Sequence, residues 1–96
     1  LIFICPKYLA YVRAHPCVIC GIDECVDAHH ARSTGLSFGM KPPDFLAFPL
    51  CRLHHGELHD IGHKTWAKRY GQPESWYVNR MLMKAIADGV LVFKAT

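Results

Sequence analysis

Residues 51–59 read CRLHHGELH, one cysteine and three histidines within nine positions. All four side chains ligate metals once deprotonated, and their spacing divides them into two sets. His54 and His55 are adjacent, so on a helix they diverge by about 100°, whereas His59 lies one turn beyond His55 on the same face. Cys51-x-x-His54 has the two-residue gap that lets both ends of a tight turn reach one ion. A second element of that form, Cys17-x-x-Cys20, lies upstream in PCVICG and is closed by Gly21. Together Cys17, Cys20, Cys51 and His54 make a Cys3His set, which fills a tetrahedral zinc ion and leaves no position for water. Such a site is structural. Cys5 and Cys25 have no partner at ligand spacing and are expected to be small buried residues.

His55 and His59 remain as a helical pair, and two ligands do not hold a catalytic ion. The string AHH offers a third from His29 or His30, whose side chains diverge at the end of a strand. One of them can coordinate while the other faces substrate; the alternative is that His30 or His59 is an ordinary surface histidine. Three protein ligands with an open side form the pattern of a catalytic metal. Asp60 and His63 extend the helical stripe, either as supports or as solvated residues, and Gly62 breaks the helix before His63. The zinc-protease pattern HExxH is not met, because Glu57 stands two places after His55 rather than beside it.

Holding these groups together requires strands and a helix in a fixed order. Pro6 opens a helix over residues 6–15 with Tyr8, Leu9 and Val12 on one face. CVDAHH, residues 25–30, is a strand, and the Gly-, Ser- and Pro-rich residues 31–44 are a loop. FLAFPLC, residues 45–51, is a returning strand that Pro49 confines to an edge or a bulge. A helix runs from His54 to near Gly62, with another turn or two over residues 64–71. Residues 73–89 form the strongest helix: Pro73 opens it, Glu74 favours its positive end and Gly89 closes it. Val78, Leu82, Ala85 and Ile86 are its expected buried stripe, and residues 90–96 offer a further strand. The fold class is α+β: knuckle, strand, loop, strand, helix, set between an N-terminal and a C-terminal helix.

At 96 residues the chain is expected to be a single domain, with a core over about residues 16–65 and a helical extension over about 73–89. It is 51% hydrophobic and 20% charged, a globular composition, and so small that a structural metal would help it fold. The net charge of +3 favours anionic partners weakly. No apolar run approaches the ~18–20 residues of a membrane span, and no signal peptide is recognisable. Five cysteines, an odd number, with a CxxC and a histidine cluster read as metal chemistry, which suits the cytoplasm. A first residue of Leu rather than Met leads us to expect further residues upstream.

PCVICG, DAHH and KPPDFLAFPLCRLHHGELH, in that order, resemble the HNH endonucleases, whose core is the ββα-metal motif. The likeness is greatest to the small phage and prophage branch that includes the recombination-enhancement (Ref-type) nucleases. It covers roughly residues 8–65. The resemblance implies a zinc-stapled core and a DNA endonuclease that leaves 5′-phosphate and 3′-hydroxyl ends. It makes His30 the general base, and gives His29, His55 and His59 a single divalent ion (Mg2+, Mn2+, Zn2+ or Ni2+). The family's middle Asn is missing, and Asp44 is the nearest polar residue; it either orients the base or caps the loop. Phosphate contacts on single- or double-stranded DNA would come from Arg32, Lys41, Arg52, Lys64, Lys68 and Arg69, with Arg32 and Arg52 preferred. No base-reading helix is visible, so sequence specificity is expected to be low. A recombinase partner and a bacterial host cytoplasm are further implications. A different class of function remains open: a catalytically silent zinc module that binds nucleic acid or a protein and uses only the Cys3His set.

Overall fold

In the computed structural model, residues 4–32 and 42–92 are described. They fold in the order α1 (Pro6–Arg13), β1 (Val26–His30), β2 (Ala47–Cys51), α2 (Arg52–Tyr70) and α3 (Glu74–Ala87), a small α+β arrangement. β1 and β2 pair antiparallel, Val26 opposite Cys51 and His30 opposite Ala47. In this two-stranded sheet both strands are edges, which is how Pro49 is tolerated opposite Ala28. Its carbonyl accepts the Val18 N–H at 3.1 Å, so the Cys17–Cys20 knuckle lies along β2.

All of β2 is buried, because each of the three helices touches it. Phe48 and Leu50 enter one apolar cluster with Leu58 and Trp66 of α2 and Tyr77 and Val78 of α3. Ala47 enters a second with Tyr8 and Val12 of α1 and Met81 and Ala85 of α3. The strand's alternation thus distributes its neighbours between two cores.

α2 starts at Arg52, two residues before the expected start, and is broken by Gly62 at φ 82°, ψ 159°. A second helical segment follows and ends at Gly71, whose left-handed φ of 87° lets its N–H reach the Ala67 carbonyl at 2.8 Å. The break and the added turns agree with the sequence. α3 differs in phase. Its buried residues are Glu74, Tyr77, Val78, Met81 and Ala85, while Leu82 is half-buried and Ile86 is exposed. α3 lies across both β2 and the α1 cluster, which turns Tyr77 and Met81 inward and Ile86 out.

Three other expectations change. Cys25 is exposed, not buried, and holds a positive φ of 53° at the turn into β1, so that strand begins at Val26. Phe45 and Leu46 precede β2 in a turn where the Leu46 N–H meets the Pro43 carbonyl at 3.0 Å. Residues 90–92 form no strand, and 93–96 lie outside the described residues, as does 33–41 of the expected loop. No helix among the described residues is long and apolar enough to cross a membrane.

Candidate metal centres

Two groups of ligands converge where β1, β2 and α2 meet. The first is Cys17, Cys20, Cys51 and His54, whose ligand atoms all lie within 4.8 Å of one another. Cys17 and Gly21 close the knuckle: the Gly21 N–H reaches the Cys17 carbonyl at 2.9 Å, with φ 77° at Gly21. Cys51 ends β2 and caps α2, which places His54 in the first turn. Cys20 Sγ lies 3.8 Å from Cys51 Sγ, and His54 Nδ1 lies 3.2 Å from Cys51 Sγ and 3.8 Å from Cys17 Sγ.

A tetrahedral zinc ion sets its own spacing. Zn–S and Zn–N bonds of about 2.3 and 2.1 Å place two sulfurs about 3.8 Å apart and a sulfur and nitrogen about 3.6 Å apart. The group fits. No disulfide is formed: all five cysteines are free, and Cys20 and Cys51 stand at ligand rather than bond distance. Burial opposes the Cys17 thiolate, but hydrogen bonds from the Cys51, Cys20 and Ile19 backbone outweigh it and lower the pKa. Burial raises that of Cys51, and the Cys17 and Cys20 sulfurs add to the rise.

The second group is His29, His55 and His59, again mutually within 4.8 Å. β1 turns His29 inward against the edge of Phe48, and the first turns of α2 bring His55 and His59 to it with ring centroids 4.9 and 5.6 Å away. Asp27 Oδ2 accepts from His55 Nδ1–H at 3.0 Å, which leaves the lone pair on Nε2. That atom is 3.1 Å from His59 Nε2. Two nitrogens about 2.1 Å from one ion and so separated subtend about 95°, an ordinary ligand angle. His29 Nε2 meets Glu74 Oε2 at 2.7 Å. Burial pushes the His29 pKa below its usual value against the pull of Glu74, which favours the neutral, ligating imidazole.

Two of these histidines border an open cleft of about 170 Å³ lined by His29, Arg32, Leu58, His59, Gly62, His63 and Glu74. A larger hollow of about 430 Å³ adjoins it, sharing His63 and Glu74 and adding Lys64 and Lys68. The hollow of about 400 Å³ formed by Val18, Trp76, Tyr77, Arg80, Met81 and Lys84 contains none of the histidines. The small, open cleft is the one beside the histidine group.

His30, the next residue of β1, is half-buried, and its Nε2 lies 3.0 Å from Asp44 Oδ1. Asp44 is itself held: its Oδ2 accepts the Cys5 N–H at 2.7 Å. The carboxylate therefore ties the start of α1 to the end of β1. With Nε2–H given to Asp44, the His30 lone pair is on Nδ1.

The basic residues are placed unequally. Arg32 lines the histidine cleft, and the exposed Arg52 stands 4.0 Å from Asp27. Lys64 and Lys68 line the adjoining hollow. Arg69 donates to Glu57 at 3.1 Å, and Tyr70 donates to the same carboxylate, which holds the Glu57 pKa below its usual value. Lys41 lies outside the described residues.

Two acidic residues at this site were not singled out from the sequence as its members. Asp27 could have been found, because it precedes His29 by two residues and shares its face of the strand. Glu74 was visible only as a favourable helix-end charge; its contact with His29 spans 45 residues.

Over 86 residues the chain is 36% identical to the uncharacterized protein YdfU of Escherichia coli (strain K12), an alignment that covers 88% of this chain and 24% of that protein. The chain thus spans about a quarter of that relative's length. No solved structure matches it. The sequence model of the family described as "Protein of unknown function (DUF968)" matches residues 1–89, and the chain belongs to that family.

Proposed function

We propose that this chain is an HNH-type, ββα-metal DNA endonuclease domain that hydrolyses phosphodiesters to 5′-phosphate and 3′-hydroxyl ends. One observation carries the reading: three imidazoles, His29, His55 and His59, converge beside a cleft that His29 and His59 line, and the neighbouring His30 is held by Asp44. They stand on a strand–strand–helix unit in the order the resemblance requires.

The three histidines are suited to a divalent ion such as Mg2+, Mn2+, Zn2+ or Ni2+, which when bound polarises the scissile phosphate and neutralises charge on the leaving oxygen. His30 takes a proton from water at Nδ1. Asp44 fixes the ring through Nε2–H and stabilises the imidazolium that forms. Zinc in the Cys17, Cys20, Cys51 and His54 group is structural and holds the corner between β2 and α2. Arg32 and Arg52 flank the histidines and are the preferred phosphate contacts, with Lys64 and Lys68 extending the basic track. Arg69 serves Glu57 first. DNA, single- or double-stranded, is the substrate class, and the Ref-type resemblance adds a phage or prophage setting and a recombinase partner. Five free cysteines suit a reducing bacterial cytoplasm.

The test compares wild type with His30→Ala on supercoiled plasmid and on single-stranded DNA, in each of the four metals. Nicking by wild type and a loss of at least ~10²-fold in the variant are expected. Equal activity in the two would remove His30 from its role. No cleavage by wild type in any metal would favour the silent zinc module instead.

A further inference from the structure

We infer that Glu74, at the start of α3, is a positioning residue of the histidine centre: it accepts the Nε2–H of His29 and so presents Nδ1 as the ligand atom. This rests on reading His29, His55 and His59 as a metal centre. α3 lies beyond the stretch that resembles the nucleases, so the inference extends the site to an element the resemblance does not reach.

Glu74 is 4% exposed and is the one charged residue among the buried positions of α3, which are otherwise Tyr77, Val78, Met81 and Ala85. A carboxylate is not buried cheaply without a partner. Glu74 Oε2 meets the Nε2 of His29, also buried, at 2.7 Å. The first turn of α3 has no side-chain cap hydrogen bond, and Glu74, its first residue, stands at the positive end of the helix. At 2.7 Å a carboxylate oxygen accepts and the ring nitrogen donates, so the geometry gives the proton of the contact to His29 Nε2.

Glu74 is not among the three mutually close ligand residues, which makes it a support rather than a ligand. The same device recurs nearby. Asp27 accepts from His55 at 3.0 Å, and Asp44 meets His30 at 3.0 Å. In each case a carboxylate occupies one ring nitrogen and fixes the lone pair on the other, which orients the ring and raises its basicity. Three of the four histidines at this site are set in this way, each by a carboxylate from a different segment: β1, the turn before β2, and α3.

The experiment titrates nickel into the zinc-loaded chain as wild type, Glu74→Gln, Glu74→Ala and His59→Ala, with melting curves before nickel is added. Wild type should take up one further ion, and both Glu74 variants should bind it about 10- to 100-fold more weakly. Unchanged affinity in Glu74→Gln, with or without a fall in melting temperature, would overturn the role of Glu74 and leave the metal centre standing. No further ion in wild type, or undiminished binding by His59→Ala, would overturn the centre itself. Imidazole 15N spectra of wild type with zinc in both groups decide the matter without a variant. His29 should show a protonated Nε2 and a metal-bound Nδ1, and metal at Nε2 would refute the inference.

Discussion

His54 Nδ1 lies 3.2 Å from the Cys51 sulfur, and the next residue, His55, turns its own Nδ1 elsewhere, 3.0 Å from Asp27 Oδ2. One peptide bond thus joins a member of the thiolate group to a member of the histidine group. The divergence of neighbouring side chains on the first turn of α2 separates the two groups. Whatever fixes His54 also fixes the start of the helix that carries His55 and His59.

Zinc removal should therefore unfold more than the knuckle. Stripping the ion with a strong chelator, or replacing Cys51 by Ser, is expected to lower the melting temperature sharply, because binding energy at a four-ligand site is folding energy. His59→Ala, outside that site, should melt close to wild type. The check is circular dichroism with the zinc content measured on each sample; a chelated protein that melts unchanged would exclude a structural ion.

Asp44 can be separated from a mere loop cap by chemistry. Asp44→Ala should reduce DNA nicking by about 10- to 100-fold, the usual effect of losing a partner that orients a functional histidine. Asp44→Asn restores the residue type common in the resembling nucleases and keeps an acceptor for Nε2–H, so it should retain most activity. Equal rates in all three proteins, measured at saturating metal, would remove Asp44 from the reaction and leave it a structural tie to the start of α1.

Acid should loosen the tie between the two terminal helices. The Tyr11 hydroxyl donates to Asp88 Oδ2 at 2.6 Å and, with Lys84 beside it, holds the Asp88 pKa below the usual carboxylate value. A depressed folded pKa contributes stability above the unfolded value, and that contribution is lost as pH falls through the folded one. Asp88→Asn should melt about a degree or two lower at pH 7, as befits an exposed pair, and the gap should close as pH falls through the depressed carboxylate pKa. A gap that persists in acid would place the effect outside ionisation.

Gly62 should resist replacement although there is room for a side chain. A Cβ there would meet nothing within 4 Å, but φ 82° with ψ 159° belongs to glycine almost alone. Gly62→Ala is expected to cost about 1–3 kcal/mol in urea unfolding. A neutral result would show that the two halves of α2 can merge without loss.

The ligand groups were legible in the sequence because their spacing is local. Two-residue gaps at Cys17/Cys20 and Cys51/His54, and the one-turn gap at His55/His59, constrain geometry before any tertiary contact forms. The break at Gly62 and the helix after Pro73 were legible for the same reason. The phase of α3 was not. Which of Met81 and Ile86 is buried depends on how α3 lies across β2 and α1, and periodicity leaves that rotation free. Cys25 misled because a positive φ at a turn leaves no mark when the residue is not glycine or asparagine. Glu74 was hidden by distance, and Asp44 could be named only because the resemblance left an empty role nearby.

His29 and His30 are chemically identical, so only strand phase tells them apart. The pairing of Val26 with Cys51 and of His29 with Phe48 sets that phase, and a one-residue slip would turn His30 inward and His29 outward. Cys51 is both the last residue of β2 and a member of the thiolate group. An ion gripped there would act as an index mark for the sheet, so that metal supply to one centre decides which imidazole the other receives.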